Sequence, residues 1–170
     1  MTHEEMAAEL TATGLYRILR KMPTRTVVNE YDGDGNRKAL FVDIETTGLD
    51  PTTEEIIELA MIPFTYASDG RIYEIHEPFR SYRQPSRPMP EAITALTGIS
   101  NEMIAGHSID PAEVVAIADG SAPIIAHHAA FDRHFVERQW PTAFKDKPWA
   151  CSMSQIDWAA EGYEGTRLAY

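Results

Sequence analysis

The sequence predicts an α/β domain built on a mixed β-sheet, on three observations. The run Ala39-Leu40-Phe41-Val42-Asp43-Ile44-Glu45 is apolar almost throughout, as befits a strand buried inside a sheet. Two further strand-like stretches follow, joined by the turn Ser68-Asp69-Gly70, which predicts an antiparallel hairpin. Helical segments then alternate with another apolar strand, the order expected of a sheet flanked by helices.

Residues 3–21 read as a helix interrupted at Gly14, with Met6, Leu10, Leu15, Ile18 and Leu19 on an approximate apolar stripe. Its expected role is a packing arm. Residues 30–37, EYDGDGNR, form a turn cluster. Residues 1–37 are therefore read as an N-terminal helical arm and linker, and 38–170 as the main domain. The hairpin strands are expected over 56–66 and 71–82, with Pro63 marking a bulge or an edge position. Residues 83–90 are a proline-rich loop, followed by short helices at 90–96 and 101–105. Asp110-Pro111-Ala112-Glu113 is a helix start: an acid at the cap, proline at the first position and glutamate three after the cap. Residues 122–126 predict a buried strand and 129–139 a helix.

The chain has 170 residues, enough for one domain with a sizeable core. Its net charge of −11 argues against coating nucleic acid through a broad basic surface. A local groove gripping a chain end stays compatible with that charge, provided divalent cations neutralise the acids. No apolar run approaches the roughly 18 residues of a membrane span, and the acidic N-terminus lacks a secretion-signal pattern. The single cysteine, Cys151, suits a reducing cytoplasm and is expected to be a small buried hydrophobe.

Asp43 and Glu45 carry the sharpest chemical signal. Charge is rare in so apolar a strand, because burying an unpaired carboxylate is costly. Residues two apart in a strand share a face, so the two acids project together and repel. A hard divalent cation with oxygen ligands resolves that conflict. Thr46-Thr47-Gly48-Leu49 follows at the strand end, where Gly48 permits a tight turn and Leu49 could meet a base or sugar. The second constellation is Ile125-Ala126-His127-His128-Ala129-Ala130-Phe131-Asp132, a strand entering a helix. Asp132 lies early in that helix, where the dipole favours a carboxylate. An acid pair at a strand end, or a helix-start acid, is ordinary when alone; the combination is not.

Together these residues resemble the DEDDh exonucleases, the group that contains the proofreading epsilon subunit of bacterial DNA polymerase III. FVDIETTGLD is similar to that family's first motif and AHHAAFDRHF to its second, with family-like text between and after them. The resemblance implies an RNase H-like mixed sheet flanked by helices. It implies 3′-to-5′ hydrolysis of terminal phosphodiesters of DNA or RNA, releasing nucleoside monophosphates. Asp43, Glu45 and Asp132 would be the catalytic metal ligands of a two-metal site holding Mg²⁺ or Mn²⁺, one ion activating water and the other stabilising the leaving oxygen. Thr46, Thr47, Gly48 and Leu49 would line the 3′-terminal nucleotide, with His128 and Phe131 completing the substrate site. The partner implied is a single-stranded 3′ end. A polymerase partner is left open.

Two departures follow from the same comparison. His128 stands where the family usually has Asn, which changes local hydrogen bonding. The family's third motif, H-x-x-x-x-D, supplies the general base and a fourth carboxylate; its only match is His127 to Asp132, which is the second motif itself. The chain is accordingly expected to end before that motif and to be impaired unless another histidine serves, since a general base is worth ~10²–10⁴-fold. His134 is expected to face away from the acids. Two other readings stand beside the exonuclease: an impaired end-binding or scaffold module of the same fold, and an acidic cation-binding protein unrelated to nucleic acid.

Overall fold

The computed structural model describes residues 1–16, 18 and 25–168. Helix α1 (His3–Ala12) opens the chain, fixed by a capping box between Thr2 and Glu5, and it buries none of its side chains. It ends at Thr13, one residue before Gly14, which takes a left-handed φ of 69°. The expected continuation to residue 21 falls largely on residues outside the described set. The segment read as a linker is tied down: Val27 bridges to Glu74, and Asp32 accepts from Tyr73 Oη at 2.6 Å and Arg71 Nη2 at 2.9 Å.

Six strands form one mixed sheet. They are β1 (Arg37–Thr46), β2 (Ile56–Tyr66), β3 (Ile72–Ile75), β4 (Phe79–Tyr82), β5 (Ser121–Ala126) and β6 (Trp149–Cys151). The order is β3-β2-β1-β5-β6, with β4 also on β2; β1 is antiparallel to β2 and parallel to β5, which is parallel to β6. The sheet is RNase H-like, as the sequence predicts.

Two expectations need correction. The single strand expected over 71–82 is two, β3 and β4, because Pro78 lies between them with a fixed φ and no N–H to donate. Pro63 marks neither an edge nor a bulge, since β2 has neighbours on both sides. It sits where β2's outer partner changes from β4 to β3, and its carbonyl accepts from His76 N at 2.9 Å on that side. Pro63 has no N–H to donate on that side, so its pairing with His76 keeps a single ladder bond. A bulge does occur elsewhere: Glu45 pairs Glu58 and Thr46 pairs Ile56, leaving Ile57 as the extra residue.

Helices α2 (Glu91–Thr97), α3 (Asn101–Ile104), α4 (Pro111–Ala118), α5 (Ala129–Gln139), α6 (Pro141–Phe144) and α7 (Ser152–Gln155) complete the fold. Asp110 caps α4 by accepting from Ala112 N. The main core lies between one sheet face and α4, α5 and α6. Leu40, Val42 and Ile44 of β1 meet Val114, Phe135 and Phe144 there. The alternate β1 residues Phe41, Asp43 and Glu45 face the other way and are exposed or half-buried. Phe135 is 1% exposed at the centre of the core. Phe135→Ala is expected to cost about 3–5 kcal/mol of stability, read as a fall in the urea midpoint. None of the helices among the described residues is long and apolar enough to cross a membrane.

Candidate active site

β1 carries its acids on the face away from the helices because its even-numbered residues are claimed by the core. Directly paired residues share a face, so the antiparallel register places Glu45 beside Glu58 and Asp43 beside Ala60. Asp132 arrives from the opposite layer. The β5–α5 junction brings it to the end of β1, in the first turn of α5, where it is only 4% exposed.

These acids sit in one another's fields. Loss of hydration raises the Asp132 carboxyl to about 7, the charge of Asp43 and then Glu45 adding to it, while the backbone amides of Asp132 and Ile44 oppose the rise. Asp43 is raised by lost hydration and by Glu58, with His127 pulling it down. Glu45 is raised by lost hydration, then by Asp43 and Glu58. Asp43 is nonetheless open to solvent, whereas Asp132 is not. Glu58 is itself buried and is paired with Arg80.

The donor chemistry suits a hard divalent cation. All three acids offer oxygen, all three are pushed toward protonation, and a cation between them would relieve both lost hydration and repulsion. Among the described residues, no three His, Cys, Asp or Glu side chains stand close enough together to hold a metal ion as placed. Binding one therefore requires the carboxylates to turn inward.

The turn after β1 shows a division of labour. Thr46 is on the core face, 8% exposed, and its hydroxyl donates to Gly48 O at 2.6 Å, so it shapes the turn instead of facing a ligand. Thr47 Oγ1 donates to Glu54 Oε2 at 2.5 Å and accepts from Glu55 N at 2.9 Å. Gly48 is needed for close approach, but to Glu54: a Cβ there would lie 2.9 Å from Glu54 Cγ and Cδ. Leu49 stands 83% exposed beyond the acids. Thr47 also lines a cavity of about 240 Å³ with Glu54, Glu55 and Arg87.

In the second constellation, the His128 ring makes no capping hydrogen bond and stacks parallel on Phe131, centroids 6.2 Å apart. Phe131 in turn packs on Phe135 at 5.0 Å, which ties the site to the core. His134 Nδ1 is bonded to Ala130 O one turn back on the exposed side of α5. His127 is the histidine beside the acids, and both its nitrogens are engaged. Nε2 meets the carbonyl of Thr166, and Nδ1 lies 3.0 Å from Ser152 Oγ. A carbonyl only accepts, so Nε2 donates to Thr166, while Nδ1 either accepts from the serine hydroxyl or donates to it. The ring thus keeps no lone pair for a water proton. Cys151 is half-buried, not buried as expected; its thiol donates to His127 O and is held below its ordinary pKa, chiefly by Ser154.

Sequence reasoning missed Glu58, Arg80 and the placement of His127. Glu58 was open to the rule that found Asp43, since it too is a charge in an apolar strand, IIELAMI.

Fold and acids together define an RNase H-like protein of the DEDD type. The chain belongs to the exonuclease family RNase_T, whose model matches residues 40–157. It is 37% identical to the PolC-type DNA polymerase III of Latilactobacillus sakei over 100 residues, 57% of this chain and 6% of that protein. It is 30% identical to the 3′-5′ exonuclease DinG of Bacillus subtilis over 139 residues, 78% of this chain and 14% of that one. The chain thus spans a small part of the length of these curated relatives. Among solved structures, E. coli exonuclease I in complex with a dT13 oligonucleotide shares the fold, with a TM-score of 0.53 at 18% identity over 69% of this chain and 28% of that one.

Proposed function

We propose that this chain forms the metal-binding and substrate-end-binding part of a 3′-to-5′ exonuclease acting on single-stranded DNA ends. Asp43, Glu45 and Asp132 hold Mg²⁺ or Mn²⁺. The observation that carries this reading is the placement of the acids: Asp43 and Glu45 share the open face of β1, and the β5–α5 junction brings Asp132, 4% exposed, against the Ile44 backbone between them. When bound, the cations supply charge neutralisation and Lewis-acid activation of water and phosphoryl oxygens. The protein's own residues do the rest. Leu49 packs on the terminal base or sugar, Thr47 holds the turn that presents it, and Phe131 buttresses α5 so that Asp132 stays aimed at β1. DNA is favoured over RNA by the solved relative with an oligonucleotide, a dT13 strand.

The test is release of nucleoside monophosphates from a 3′-labelled oligonucleotide with Mn²⁺, lost on Asp43→Ala. Release that persists in Asp43→Ala contradicts the site. A second reading, an end-binding module that does not turn over, is favoured by one observation, the full engagement of both His127 nitrogens. It predicts end binding with no release at all. Leu49→Ala is expected to weaken binding of a 3′-ended strand by about three- to tenfold, the loss of ~1 kcal/mol or so of apolar contact, while Mn²⁺ affinity by calorimetry stays the same.

A further inference from the structure

We propose that Arg80 is a phosphate-binding residue for the single strand, contacting a backbone phosphate on the 5′ side of the scissile one. This rests on the exonuclease reading above. The register carries the placement. Reading across β1, β2 and β4, Asp43 pairs Ala60 and Ala60 pairs Arg80, while Glu45 pairs Glu58 and Glu58 pairs Tyr82. All six side chains lie on the acid face. Arg80 therefore stands two strand spacings from Asp43, roughly 10 Å. The residue between them is alanine, so no side chain rises to block the path.

The guanidinium is held on two sides and open on the third. Nε donates to Glu58 Oε1, and the group lies over the Tyr82 ring at 5.3 Å from its centroid. Its side chain is 61% exposed against 10% for Glu58. Among the described residues, Nη1 and Nη2 have no partner. A planar fork fixed at its base and offering two outward donors is the geometry that recognises phosphate.

Charge gives the reason for it. A strand of phosphates must approach a protein of net charge −11 across a face that carries Asp43, Glu45 and Glu58. Cations between Asp43, Glu45 and Asp132 neutralise the centre but not the phosphates beyond it. The terminal nucleotide ends in a 3′-hydroxyl, so every further phosphate lies on the 5′ side. By register, Arg80 is the arginine or lysine of the sheet nearest the acid pair on this face among the described residues. A purely structural Arg80 would need only the Nε contact to Glu58.

Removing Arg80 alone leaves Glu58 buried without a partner and risks the fold. The comparison is therefore between Glu58→Gln and the double variant Glu58→Gln/Arg80→Gln, each checked by thermal melt. Anisotropy of a labelled oligo-dT, with Ca²⁺ replacing Mn²⁺, reads affinity across a salt series. Arg80→Gln should weaken binding five- to twentyfold and reduce the slope of log K against log salt by about 0.7, one contact to a single strand. A methylphosphonate walked along the linkages should cost the Glu58→Gln protein affinity at one position and cost the double variant nothing there. Unchanged affinity and slope on adding Arg80→Gln would overturn the assignment while leaving the exonuclease reading intact. Failure of the unaltered chain to bind a 3′-ended strand would overturn both.

Discussion

Asp132→Asn should make the metal-free protein more stable at neutral pH while weakening its grip on Mn²⁺. The Asp132 carboxyl is raised from its ordinary 3.8 to about 7 in the folded chain. Between those values the folded state binds more protons than the unfolded one, so stability falls as pH rises through that window. Fully ionised, the group destabilises the fold by on the order of 4 kcal/mol. Asparagine keeps the shape and removes the charge. In chelator, the melting temperature of the unaltered protein should fall from pH 4.5 to 7.5, and that of the variant should stay nearly level. Added Mn²⁺ should raise the first strongly and the second little. A variant less stable than its parent at pH 7.5 in chelator would show that Asp132 is not in conflict with its neighbours.

Asp43→Asn should lower Mn²⁺ affinity more than any other single carboxamide change, by at least about tenfold, or ~1.4 kcal/mol. Asp43 is the acid that both others feel: among neighbouring charges it comes first for Glu45 and first for Asp132. It is also the most open of the three to an arriving ion. Glu45→Gln should have a smaller effect, because Glu58 remains beside that position. Calorimetric titration at pH 7.5 ranks the three variants. Unchanged affinity in Asp43→Asn removes the site.

Much of this was legible in the sequence because burial makes charge conspicuous. Asp43 and Glu45 stand out in β1 since every alternate residue there is committed to the core. The β5–α5 junction was readable from an apolar run entering a helical segment with an acid in its first turn. What the sequence hid depended on partners far along the chain. Tyr82 and Arg80 acquire meaning only through the β2–β4 register, and β6 is three residues long, too short for periodicity to mark. The split of β3 from β4 was in principle readable at Pro78, yet an alternating pattern on both sides masked it. His127 looked like motif text; its engagement by Ser152 and Thr166 comes from segments 25 and 39 residues away.

Anomalous diffraction from crystals grown with Mn²⁺ tests the central claim most directly. Peaks bounded by carboxylate oxygens of Asp43, Glu45 and Asp132 together are expected. Manganese held elsewhere, or by the β1 acids with Asp132 turned aside, would contradict it.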